Sequence, residues 1–74
     1  MRVVIFDQER LLYDAKADCV SLPGVEGECE VMDLHAPMIS VLRAGRVVVD
    51  GQVLSIRKGI AKVERNELTV LVER

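Results

Sequence analysis

The sequence predicts an all-β fold, a small two-sheet β-sandwich or flattened barrel of roughly 8 to 10 short strands occupying residues 1–74 as a single domain. Three observations point there. Half of the 74 residues are hydrophobic, yet Phe6 and Tyr13 are the only aromatics, so the core must be built from Val, Ile and Leu. Their β-branched bias suits strands better than helices. The apolar residues recur with a period near two, and turn signals interrupt them about every 8 to 12 residues. A chain this short buries only about 60% of the surface its unfolded form exposes, which leaves no room for a second domain.

Taken in order, the first strand is expected over Val3 to Phe6, closed by the polar run Asp7-Gln8-Glu9-Arg10. One long strand from Leu11 to Leu22 should follow. In it Tyr13, Ala15, Ala17 and Cys19 share one face and Asp14, Lys16 and Asp18 the other, until Pro23-Gly24 ends it. Glu28 to Met32 and Met38 to Leu42 read as short strands on either side of the loop Asp33-Leu34-His35-Ala36-Pro37, with a turn at Ala44-Gly45. The clearest local signal is Val47-Val48-Val49-Asp50-Gly51-Gln52-Val53-Leu54. Asp-Gly between two β-branched runs is the preferred type I′ hairpin turn, which needs positive φ at both central residues. A second hairpin spans Ile60 to Val72 around Asn66, with Leu68, Val70 and Val72 facing one way and Thr69 and Leu71 the other. The run Val47-Val48-Val49, and Leu71 between Val70 and Val72, put apolar side chains on both faces. A domain this small then has more hydrophobic surface than its core needs, so another protein should cover part of it.

Charge and composition exclude several functions. Ten basic and twelve acidic residues give a net charge of −2 and a pI near 5.3, with no basic stripe for a phosphate backbone. Without Trp and with so few aromatics, a base-stacking platform lacks its parts, so no nucleic-acid partner is expected. The apolar run at the N-terminus stops at Asp7, too short for a signal peptide or a membrane span, and the chain reads as soluble and intracellular. Two cysteines, Cys19 and Cys29, read as free thiols, because small secreted scaffolds usually carry about four to eight.

The stretch Leu22 to Pro37 concentrates the polar chemistry: Gly24 and Gly27, four acidic residues, Cys29 and the only histidine, His35. A Cys29-His35 pair with Asp33 beside it fits no motif with a known mechanism, and a loop histidine bonded to its own backbone is the simpler reading. One His and two Cys ten residues apart fall short of a zinc ligand set, so no metal is expected. Gly24-Val25-Glu26-Gly27-Glu28 lacks the Lys-Ser/Thr end of a phosphate loop and puts carboxylates where an anion would sit. It reads as a turn. Met32 and Met38 are either core filler or adaptable contact residues.

On these residues the sequence resembles the N-terminal β-sandwich domain of the epsilon subunit of rotary F-type ATP synthases, whose pattern runs approximately L-P-G-x-x-G-E-F-G-V-L-P-G-H-A-P-L. Leu22-Pro23-Gly24, Gly27-Glu28, Val31 and His35-Ala36-Pro37 fall on it without a gap. Gly45, Gly59 and Val63 fit later positions, and Leu68-Thr69-Val70-Leu71 resembles the closing strand. The departures are Cys29 in place of Phe or Leu, Glu30 in place of Gly, Asp33-Leu34 in place of Pro-Gly, and Lys58 and Ile60 around a single Gly59.

The resemblance implies a non-catalytic rotor subunit without cofactor or small-molecule substrate. It would couple the gamma shaft to the membrane ring of c subunits of a proton- or sodium-translocating enzyme, and lie on the cytoplasmic face of a bacterial inner membrane without inserting into it. The ring-facing loop would be Glu28, Glu30, Met32, His35, Pro37 and Met38, and Ser40 would approach gamma. Gly24, Gly27, Asp50, Gly51 and Gly59 would shape turns. The family's regulatory helical hairpin has no counterpart in these 74 residues, so its roles are not carried over. The alternative is a free-standing β-barrel adaptor unrelated to ATP synthesis.

Overall fold

The computed structural model describes residues 1–74 as nine strands without a helix. In chain order these are β1 (Arg2–Phe6), β2 (Leu11–Lys16), β3 (Cys19–Gly24), β4 (Gly27–Met32), β5 (Met38–Leu42), β6 (Gly45–Val49), β7 (Gln52–Ile56), β8 (Lys58–Glu64) and β9 (Glu67–Glu73). They hydrogen-bond in the order β2-β1-β9-β8-β5-β3-β6-β7, with β4 on the free edge of β3. The all-β expectation holds, and its two layers are the halves of one continuous sheet curled into a half-barrel. Fifteen residues of the inner face form the core, all apolar, and no polar or charged residue is buried among them.

Both expected hairpins are present. Asp50 and Gly51 have φ of 45° and 86°, the two positive values that a type I′ turn requires. Arg65 and Asn66, at 53° and 58°, turn β8 into β9. Leu68, Val70 and Val72 are buried and Leu71 is exposed, as their alternation implies. The polar run after β1 closes on itself: the Asp7 carboxylate accepts the backbone N–H groups of Glu9 and Arg10 at 2.8 and 2.9 Å. These two bonds, in that order, hold the Asp7 carboxyl below its usual range.

The long strand expected over Leu11 to Leu22 is two strands. The break falls at Ala17-Asp18, and the alternation slips by one residue there. Ala17 is buried, but beyond it Val20 and Leu22 point inward, while Cys19 and Ser21 are only half-buried. The bend is stabilised from a distance, because the Asp50 carboxylate accepts the N–H groups of Asp18 and Cys19 at 3.0 to 3.2 Å. The turn residue of one hairpin thus caps the break in another strand. Pro23 and Gly24 are the last two residues of β3, opposite Glu28 and Gly27, and the strand ends there as expected. Gly59, expected at a turn, lies within β8, where a Cβ would come 2.6 Å from the Leu71 carbonyl oxygen. It is needed for close strand approach.

Two substitutions separate these contributions. Leu22→Ala, in the middle of the sheet, should cost about 2 to 5 kcal/mol. Asp50→Ala should lower the urea midpoint by a smaller amount and leave the slope of the transition unchanged, since it frees two N–H groups without opening the core.

Candidate docking site

The acidic stretch forms the β3–β4 hairpin and the loop that returns to β5. Along β4 the alternation is strict. Cys29 and Val31 pair with Leu22 and Val20 on the core side, while Glu28, Glu30 and Met32 pair with Pro23, Ser21 and Cys19 and project outward, all exposed. Val25 and Glu26 form the two-residue tip. Gly27 supplies φ of 131°, and at Gly24 a Cβ would lie 2.7 Å from the Gly27 carbonyl oxygen, so only glycine lets the hairpin close. Arg43 approaches Glu28 at 3.7 Å, an exposed pair of little energetic weight. No ion pair is formed by Glu26 or Glu30, and the edge stays negative.

The loop 33–37 is tied down at its start. Asp33 Oδ1 accepts the Met1 ammonium at 2.6 Å and the Asn66 side-chain amide at 3.0 Å, and Asn66 Oδ1 in turn accepts the Leu34 N–H at 2.8 Å. The ammonium bond first, and the Asn66 bond second, hold the Asp33 carboxyl below its usual range. Leu34 sits at φ of 64°, in the left-handed region, with its side chain 82% exposed. His35 donates its N–H to the Met32 carbonyl at 3.1 Å, and its Nδ1 lies 2.6 Å from the Ala36 carbonyl. Pro37 is exposed. Met38 turns inward opposite Val63 and packs on the core, its sulfur 4.0 Å from that of Cys29. It supports the loop from beneath.

A second surface lies on the outer face of the sheet. Register aligns Val41, Ile60, Leu71, Phe6 and Leu11 in one row across β5, β8, β9, β1 and β2. All but Phe6, which is half-buried, are exposed. Ile39 extends the row on β5 and Val4 on β1. Ser40, between Ile39 and Val41, points to the inner side opposite Ala61, so the outward residues of β5 are its two neighbours. The apolar excess expected from the sequence is real, and five of the nine exposed large hydrophobics, Leu11, Ile39, Val41, Ile60 and Leu71, lie on this face.

No hydrogen bond joins Cys29 and His35. Burial, then the charges of Glu30 and Asp50, push the Cys19 thiol up, away from nucleophilic thiolate. Cys19 and Cys29 are free and lie on opposite sides of their hairpin. No three His, Cys, Asp or Glu residues are placed to hold a metal. Sequence reasoning did not find Asn66 or the ammonium as loop anchors, because their partner Asp33 lies about 30 residues away and no spacing records the contact.

Fold and surfaces together define a small all-β domain, a sheet curled into a half-barrel, that presents an acidic hairpin edge, a pinned loop and an apolar sheet face. The chain belongs to the ATP synthase delta/epsilon family: the family model for "ATP synthase, Delta/Epsilon chain, beta-sandwich domain" matches residues 1–74. It is 41% identical over 70 residues to the ATP synthase epsilon chain of Parvibaculum lavamentivorans, covering 88% of this chain and 53% of that one. With the epsilon chain of Caulobacter vibrioides the identity is 42% over 69 residues, covering 88% and 80%. With that of a Synechococcus strain it is 37% over 78 residues, covering 100% and 57%. The chain thus spans little more than half the length of two of these relatives. The same fold occurs in the central stalk and c-ring structure of Tetrahymena thermophila mitochondrial ATP synthase, with TM-score 0.86, 11% identity and coverage of 99% and 63%. It occurs also in the Euglena gracilis mitochondrial ATP synthase, with TM-score 0.86, 19% identity and coverage of 97% and 49%.

The loop anchor makes a pH prediction. Because the Asp33 carboxyl is held low in the folded chain, its contribution is complete above the ordinary carboxylate range and is lost as pH falls below about 4. The amide resonances of Leu34 and His35 should move together through that acid window in wild type, and Asp33→Asn should abolish their common titration.

Proposed function

We propose that this chain is a non-catalytic central-stalk component of a proton- or sodium-translocating F-type ATP synthase, joining the gamma shaft to the ring of c subunits. One observation carries the reading: a five-strand row of apolar side chains remains uncovered on a domain whose core is already complete. Core residues of the inner face leave nothing for Val41, Ile60 and Leu71 to stabilise within the chain. Exposed apolar rows of this kind mark protein interfaces, and permanent interfaces are the more apolar ones. Membership of the family supplies the identity of the assembly.

In this reading the outer face, through Ile39, Val41, Ile60 and Leu71, covers gamma. The contact assigned to Ser40 passes to its outward neighbours. Glu28, Glu30, Met32, His35 and Pro37 face the polar loops of the ring, where opposed charge fixes orientation and speeds encounter more than it adds affinity. Torque passes between the two surfaces through a rigid sheet. The domain has no catalytic role and lies at the cytoplasmic face of the membrane by attachment to the ring.

Calorimetric titration with the gamma subunit of the same organism, in the absence and presence of the c ring, tests this. Tight one-to-one binding to gamma is expected. Ile60→Ser should weaken it roughly tenfold or more while lowering the melting temperature by only a few degrees, since Ile60 is already half-exposed. Glu28→Lys should weaken only the ring-dependent step. A chain that binds neither partner would be a free-standing adaptor.

A further inference from the structure

Leu34 occupies a backbone conformation that its side chain disfavours. Its φ of 64° belongs to the left-handed region, which a Cβ penalises and which glycine or asparagine adopts readily. Strain of this kind is ordinarily offset by burial, yet Leu34 is 82% exposed, more than any other large hydrophobic residue of the chain. The turn has no use for the side chain. What holds it is backbone: the Leu34 N–H on Asn66 Oδ1 at 2.8 Å, and the next N–H, that of His35, on the Met32 carbonyl at 3.1 Å. Asp33, just before it, is fixed by the Met1 ammonium and by Asn66. The loop therefore projects an aliphatic side chain outward from a backbone that is held in place. Met32, 53% exposed and two residues earlier, adds a second apolar group, and the acidic side chains of Glu28, Glu30 and Asp33 surround the pair in sequence.

We propose that Leu34 is an anchor residue that inserts, with Met32 beside it, into an aliphatic-lined recess on the c ring, and that it sets the affinity of this loop for the ring. The inference rests on the reading that this loop faces the ring, and it names the group that does the binding there. An apolar side chain carried on a backbone already held in place needs no loop ordering on docking. Carboxylates close to it in sequence disfavour apolar surfaces that lack matching cationic or amide groups. Backbone strain at an exposed residue is retained where function requires the side chain, and here the requirement is intermolecular.

The test compares wild type, Leu34→Asn and Leu34→Met in titrations against the purified c ring in nanodiscs and, separately, against gamma. Asparagine keeps the left-handed backbone and removes the apolar group. The expected result is a Kd for the ring raised roughly tenfold in Leu34→Asn and within about twofold of wild type in Leu34→Met. Affinity for gamma should be unchanged, and Leu34→Asn should melt at or above the wild-type temperature. Ring affinity unaffected by Leu34→Asn, with wild type still binding the ring, would overturn this inference alone. A lowered melting temperature in Leu34→Asn would also overturn it, by showing that the side chain serves the fold. Wild type that binds no ring would overturn both the anchor and the ring-facing reading of the loop.

Discussion

A single sheet that curls to bury its own inner face leaves an outer face of comparable size, and strand geometry assigns every residue to one or the other. The rest of this structure depends on that constraint. The inner face is satisfied by Val, Leu, Ile and Ala alone, with no polar group buried and none left without a partner. Apolar residues beyond that set are therefore available for another molecule. They align across strands that are distant in sequence, because the parallel pairing of β1 with β9 places Phe6 beside Leu71, which itself opposes Ile60.

Charge plays a different part. The eight ion pairs all involve groups with at least one exposed partner, and such pairs contribute little to stability in water. Their effect is to neutralise most of the sheet face, as Lys58 with Glu73 and Lys62 with Glu64 do beside the apolar row. The hairpin edge is left unbalanced by contrast, since only Arg43 reaches one of its three glutamates. A neutral apolar face and a negative edge suit two partners of different chemistry, one held by burial and one oriented by field.

Long-range polar contacts give the loops their rigidity. Asp50 completes one hairpin and caps the break between β2 and β3, while Asn66 turns β8 into β9 and holds the start of the 33–37 loop. In each case a residue placed at a turn for its tolerance of positive φ has a side chain free to bond another segment. A change at either turn is therefore felt in a part of the chain about 30 residues away.

How much of this was legible depends on how local its cause is. Asp50-Gly51 and the turn at Asn66 could be read directly, because turn type follows from the φ values that a few adjacent residues permit. The short strand from Glu28 to Met32 could be read from its neighbours, and His35-Ala36-Pro37 with Leu22-Pro23-Gly24 carried the resemblance to the family. The parity slip at Ala17-Asp18 was not legible, since it depends on a carboxylate from another hairpin, nor was the inward turn of Ser40, which depends on pairing with β8. The sequence by itself determined the all-β class, most of the strands and the turns at Asp50-Gly51 and Asn66, all set by neighbours along the chain. Only the tertiary structure decided which apolar residues lie in one outward row and which turn holds Leu34 in place, because both follow from register and hydrogen bonds between segments that meet only when the sheet closes.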